Sequence, residues 1–148
     1  KSGIIGEHFD AQSTNLIPSM INVYLGKIDH LKVYGTNFDT HDGYGVRDFI
    51  HVEDLVEGHL RALEYLEINS GYYNWNLGTG IGHSVLDVIQ AFEKISKFKL
   101  PIQICSRRKG DLDKYWADVS KAEEELGFTA KKTLEEMIED TIRFADRN

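Results

Sequence analysis

Two stretches of this chain place arginines where they could grip an anion. The first is Gly43-Tyr44-Gly45-Val46-Arg47-Asp48-Phe49-Ile50-His51-Val52-Glu53-Asp54-Leu55, which passes from a glycine loop through a short strand into a helix. The glycines permit backbone angles that a Cβ forbids, and Phe49, Ile50 and Val52 demand burial, so Arg47 and Asp48 are charges held beside an apolar segment. An arginine fixed by strand geometry presents a planar fork of donors that suits a phosphate or a carboxylate. An ion pair from Arg47 to Asp48 or to Glu53 would satisfy the same charge, and this stretch taken alone leaves both readings open. The second stretch is Arg107-Arg108-Lys109-Gly110-Asp111. Two forked cations with an acid close behind could clamp a phosphate and a ribose diol, although a solvated charge run uses the same residues.

The elements that must position these groups are legible from periodicity. Residues 3–13 show none and read as an irregular loop. Asn15 is a good cap for a helix whose Leu16, Ile17, Met20, Val23 and Tyr24 recur at helical spacing until Gly26. Leu31, Val33 and Tyr34 predict a strand, and 36–45 a polar loop carrying Asp39, His41 and Asp42. Those three hard ligands read as a solvated turn rather than a metal site. A helix over 53–67 offers Val56, Leu60, Leu63 and Leu55, His59, Leu66 as a broad apolar face, with His59 a core or boundary histidine. Tyr72, Tyr73 and Trp75 predict a strand. A loop with Gly78, Gly80 and Gly82 follows, then a helix in which Ser84 and Asp87 form a capping box ahead of Val85, Val88, Ile89, Phe92 and Ile95. Residues 101–105 read as a strand, and 118–126 as a helix capped by Ser120 and Glu123. A last helix begins at Thr133, with Glu136 completing its box and Leu134, Met137, Ile138, Thr141, Ile142 and Ala145 facing inward.

The glycine loop invites a dinucleotide reading that its spacing does not support. The fingerprint is Gly-x-Gly-x-x-Gly with an acid about 20 positions on, whereas here the third glycine comes one residue early and the later stretch is Ser96-Lys97-Phe98-Lys99. A tight strand-to-helix connection bordering a neighbouring site accounts for it.

The chain has 148 residues, the size of one ordinary domain, and its 41% hydrophobic and 28% charged residues suit a globular α/β structure. No apolar run approaches the roughly 20 residues needed to cross a bilayer, and no secretory leader is recognisable, so no membrane partner is expected. A single cysteine, Cys105, excludes an internal disulfide and suits a reducing cytoplasm. The net charge of −7 argues against nucleic acid bound through bulk electrostatics, so any anion site must be local. The opening Lys1-Ser2-Gly3, without a methionine, and the ending Asp146-Arg147-Asn148 straight after a helix pattern suggest a fragment of a longer chain.

Four motifs together resemble the extended short-chain dehydrogenase/reductases that act on nucleotide sugars. They are Asn15-Leu16-Ile17-Pro18, the Gly43 to Leu55 run, Tyr73-Asn-Trp-Asn-Leu-Gly-Thr-Gly-x-Gly-x-Ser-Val85, and Arg107-Arg-Lys-Gly-Asp111-Leu-x-x-Tyr115-Trp-Ala-Asp118. The second motif is widespread in that superfamily; the fourth is similar to the form found in its UDP-glucose 4-epimerase branch. The resemblance spans essentially the whole chain and implies the carboxy-terminal, substrate-binding half, a small mixed α/β domain over 1–148 without the amino-terminal Rossmann half. It implies UDP-glucose and UDP-galactose as partners and, for the full-length protein, NAD and a homodimer. Arg47 and Arg108 would hold the diphosphate and Asp111 the ribose hydroxyls. Asn15 would touch the phosphate or the sugar, and Tyr115 would border the hexose. The uracil would lie along the backbone from Lys32 to Tyr34, with Val85 packed beside the nucleotide.

The departures are as informative. None of the seven tyrosines is followed by lysine at the fourth position, and no Rossmann fingerprint occurs. The family's catalytic tyrosine, lysine and NAD site are therefore expected upstream of Lys1, and the 148 residues alone are expected to be inactive. Two other readings share these motifs: the same half of a nucleotide-sugar dehydratase or decarboxylase, and a nucleotide-sugar-binding module without chemistry.

Overall fold

Two of the predicted capping boxes start the helices that face each other across the main core. In the computed structural model, which describes residues 6, 7, 9 and 13–147, the Ser84 hydroxyl accepts from the Asp87 amide while the Asp87 carboxylate accepts from the Ser84 amide, and α3 (Val85–Ser96) begins there. Thr133 and Glu136 repeat the device at the start of α5 (Leu134–Ala145). With α1 (Leu16–Tyr24) and β1 (Leu31–Tyr34), these helices bury Met20, Ile21, Leu31, Val33, Val88, Ile89, Phe92, Ile138 and Ile142 in one cluster. Each such side chain contributes about 1.5–3 kcal/mol by leaving water. The irregular loop expected over 3–13 lies largely outside the described residues.

The remaining elements are β2 (Val46–Asp48), α2 (Val52–Ile68), β3 (Gly82–Ser84), β4 (Ile102–Cys105), β5 (Lys114–Tyr115) and α4 (Ser120–Leu126). β1 runs parallel to β4, with Tyr34 beside Cys105. β2 is the middle of a three-stranded sheet, antiparallel to β3 and parallel to β5. Parallel partners end on the same side. The loops leaving β1 and β4 therefore emerge together, which brings Tyr34 and Phe38 to the arginines that follow Cys105.

A second, smaller core joins Ala122, Leu126 and Phe128 to Ile50, Ala62, Tyr65, Trp75 and Leu77. Three sequence expectations fail around it. Tyr72 to Trp75 is not a strand, because among the described residues no neighbouring strand pairs with it; the Tyr73 and Trp75 rings instead stack at 5.5 Å, both edge-on to Tyr65 of α2. The apolar face of α2 is not a core face, since only Asp54 and Gly58 of that helix are buried and Val52, Val56, Leu60, Leu63 and Leu66 stand exposed. His59 is exposed with them, its Nδ1 2.7 Å from the Leu55 carbonyl. Finally, α4 has no Ser120–Glu123 box: Asp118 Oδ1 accepts from the Ser120 amide (3.1 Å) and hydroxyl (2.7 Å) and occupies the serine first.

Candidate functional site

A cleft of about 790 Å³ opens between the start of α1, the β1 strand, Arg47 of β2 and the loop after β4. Of the eight residues singled out from the sequence, Asn15, Lys32, Tyr34, Arg47, Val85, Arg108 and Asp111 line it. Their neighbours explain how each is presented. Asn15 is the N-cap residue of α1 but makes no capping bond with its side chain, so its amide is left to the cleft. Among the described residues β1 pairs with β4 on one edge alone, and its other edge keeps backbone donors and acceptors for a ligand.

Arg47 is half-buried, and neither ion pair considered from the sequence forms. The Asp48 carboxylate turns to Thr79, Gly80 and Ala117. Glu53 lies 3.7 Å from Lys132. Among the described residues Arg47 has no acidic partner; its Nη1 donates to the carbonyl of Val46 at 2.7 Å. A partly buried guanidinium with spare donors and no carboxylate is a ready anion site.

The two adjacent arginines after β4 do different work. Arg107 staples its own loop and ties it to the loop after β1: it lies 3.0 Å from Asp113 Oδ1, donates to the Asp111 carbonyl at 2.7 Å and stacks 4.1 Å over the Phe38 ring. Arg108 enters the cleft, 5.0 Å above the Tyr34 ring, with its Nε 3.1 Å from Asp111 Oδ2. The sequence does not separate the two beyond their order in the fourth motif.

Tyr115 stands apart from the other seven. It does not line the cleft and is 64% exposed. Its place is nonetheless defined, because β5 sets it in register with Arg47, and registered residues project to the same face of a sheet.

The sequence did not anticipate Ser13, Ser19, Lys27 and His30 as further walls of the cleft. Nor did it signal a second cavity of about 780 Å³, sharing Asn15, Leu16 and Phe49 with the first. Its wall includes His51, whose Nδ1 accepts the Glu53 amide at 3.0 Å, so the neutral ring carries its proton on Nε2, 3.3 Å from Asp140 Oδ2. Ligand atoms of His41 and Asp42 in the 36–45 loop and of Asp87 in the first turn of α3, rather than Asp39, lie within 4.8 Å of one another. Both carboxylates serve the local structure, Asp42 accepting from Ser84 Oγ (2.5 Å) and the Tyr44 amide (2.9 Å), Asp87 from the Ser84 amide (2.8 Å). Burial pushes the Asp42 carboxyl up, but the bonds from Ser84, Tyr44 and Thr40 and the neighbouring His41 together outweigh it and hold the group below the usual carboxylate range.

A family model described as GDP-mannose 4,6 dehydratase matches residues 3–141. The chain belongs to that family. Within it the chain is 45% identical, over 148 residues, to the UDP-glucose 4-epimerase of Pasteurella multocida, a match that covers 100% of this chain and 44% of that protein. The crystal structure of UDP-glucose-4-epimerase from Stenotrophomonas maltophila, with bound NAD and formylated UDP-arabinopyranose, superposes with a TM-score of 0.94 at 41% identity, covering 99% of this chain and 44% of that one. The Bifidobacterium longum UDP-glucose 4-epimerase in complex with NAD+ and UDP gives 0.90 at 42% identity, with the same coverage of 99% and 44%. The chain thus spans less than half the length of these relatives. Its mixed α/β fold matches the carboxy-terminal part of extended short-chain dehydrogenase/reductase epimerases.

Proposed function

We propose that these 148 residues form the carboxy-terminal UDP-sugar-binding domain of a UDP-glucose 4-epimerase that interconverts UDP-galactose and UDP-glucose. The observation that carries this reading is the cleft with Arg47, free of any acidic partner among the described residues, facing a space that Arg108, Asp111 and Tyr34 also line. Two guanidinium forks suit the two phosphates of UDP, a carboxylate suits a ribose diol, and the open backbone edge of β1 suits the amide-like edge of a uracil. Relatives at 41–42% identity hold UDP or a UDP-sugar derivative in their crystal structures. In the cycle, Arg47 and Arg108 bind and orient the diphosphate while the hexose remains free to turn.

NAD belongs to the full-length protein in this reading, and the described residues do not fit it. Among the described residues the glycine loop is the segment that resembles a pyrophosphate cradle, and its Thr79 and Gly80 amides already hold the Asp48 carboxylate. The cofactor and the tyrosine and lysine of the reaction are assigned to an amino-terminal portion. The exposed stripe Val52, Val56, Leu60 and Leu63 on α2 supplies the surface on which such a portion would pack. No described helix is long and apolar enough to cross a membrane. The full-length protein is proposed to be a cytoplasmic homodimer, a reading drawn from the single cysteine and the family resemblance.

The test uses the full-length protein and the 148 residues alone. The full-length protein should turn over UDP-galactose and bind UDP in calorimetry, while the shorter piece should show no turnover with or without added NAD. Failure of the full-length protein to bind UDP refutes the assignment.

A further inference from the structure

The glycine loop before β3 closes around an anion supplied by its own chain. Asp48 follows Arg47 on β2, so its side chain leaves the opposite face of the strand. Its Oδ1 accepts from the Thr79 amide (3.0 Å) and hydroxyl (2.5 Å), and its Oδ2 from the amides of Gly80 (3.1 Å) and Ala117 (3.2 Å). Space for this arrangement depends on Gly78, where a Cβ would stand 2.5 Å from Asp48 Oδ2 and 2.6 Å from the Ala117 Cβ. Gly80, at φ +72°, makes the turn that aims its amide at the carboxylate.

This carboxylate ties down both neighbours of β2 at once. β5 is two residues long and its ladder is correspondingly short, with the Val46 amide donating to the Asp113 carbonyl at 2.9 Å. The Asp48–Ala117 bond is a second point of attachment, two residues beyond Tyr115. Across the sheet His83, Arg47 and Tyr115 stand in register, so where β5 is held decides where the Tyr115 ring stands beside Arg47.

We propose that Asp48 is a positioning residue: by gripping the amides of Thr79, Gly80 and Ala117 through the gap left by Gly78, it sets the placement of Tyr115 relative to Arg47 and so the room for the hexose. This rests on the proposed function, with Arg47 as a diphosphate ligand and Tyr115, in register with it, bordering the hexose. The glycine loop then serves sugar selectivity by holding an internal carboxylate instead of a cofactor phosphate.

The experiment takes the full-length protein as wild type, Gly78→Ala, Asp48→Ala and Asp48→Asn, and titrates each with UDP, UDP-glucose and UDP-N-acetylglucosamine. Gly78→Ala drives a Cβ against both the Asp48 carboxylate and Ala117 and so loosens their bond while keeping the carboxylate's charge. Asp48→Asn keeps one oxygen for the amides and turns its amino group to the Thr79 hydroxyl. UDP affinity should stay within about twofold in every variant, because Arg47 sits on the central strand. Preference for UDP-glucose over UDP-N-acetylglucosamine should fall about tenfold in Gly78→Ala and Asp48→Ala, in line with the cost of a misplaced contact, and about threefold in Asp48→Asn. If the first two do not fold, Asp48→Asn decides. A preference unchanged in the folded variants, or UDP affinity falling in step with it, overturns the positioning role. A wild type that fails to bind UDP instead overturns the functional reading beneath it.

Discussion

Replacing the arginines after β4 one at a time distinguishes a ligand-binding charge from a structural one. Arg108→Ala removes a charged donor from the cleft, and a hydrogen bond to a charged partner contributes about 1.5–3 kcal/mol, or roughly ten- to 150-fold in the affinity for UDP. Its pairing with Asp111, at 3.1 Å between side chains 53% and 21% exposed, is worth only about 0.2–1 kcal/mol. The larger consequence of losing Arg108 is an unneutralised Asp111 carboxylate beside the diphosphate. The effect should therefore lie toward the upper end of the range, and adding Asp111→Asn should recover part of it. Arg47→Ala should fall within the same range without such recovery. Arg107→Ala is the control: its contacts to Asp113 and the Asp111 carbonyl hold its own loop and its contact to Phe38 ties that loop to the one after β1, so it should lower the unfolding midpoint and weaken UDP binding far less. Calorimetric titration of the full-length variants at low and high salt reads all four. Unchanged affinity in both Arg47→Ala and Arg108→Ala, or a loss in Arg107→Ala equal to that in Arg108→Ala, would refute the division of labour.

Three further outcomes are expected. Tyr115→Cys should relax a preference of the full-length enzyme for UDP-glucose and UDP-galactose over their N-acetylhexosamine counterparts, since crowding a rigid site costs about 1–3 kcal/mol; catalytic efficiencies on both pairs check this, and an unchanged ratio removes Tyr115 from the role. Acid should weaken the fold partly through Glu136, whose carboxyl is held below its ordinary value by the Thr133 amide and then by Lys132. A depressed folded value means stabilisation present above the unfolded value and lost as pH falls through the folded one, so Glu136→Gln should flatten that acid limb of a denaturation midpoint plotted against pH. Leu60→Asp and Leu63→Asp, at positions 50% and 61% exposed, should leave the isolated 148 residues as stable as before. In the full-length protein each should lower the melting temperature, because burying such a leucine against another portion is worth about 1.5–3 kcal/mol; equal melting temperatures would show the α2 stripe to be free there too.

What the chain reveals unaided is whatever depends on near neighbours. Ser84 with Asp87, Thr133 with Glu136, and the spacing of Val88, Ile89 and Phe92 act within one or two helical turns, so they announce α3 and α5 from the letters alone. The motifs around Arg47, Arg108 and Asp111 likewise mark the anion-binding groups, since few residue types offer a planar fork of donors. Decisions between distant segments were closed to this reading. Asp48 could have paired with Arg47 beside it, yet it bonds Thr79 and Ala117, 31 and 69 positions away. Three amides and a hydroxyl satisfy a carboxylate more fully than one adjacent charge. Tyr72 to Trp75 has strand-forming residues but no strand to pair with, and the α2 stripe has helical periodicity but no partner among the described residues. Propensity and periodicity specify what a segment can form and which side is apolar; only the packing of the whole determines what, if anything, covers it.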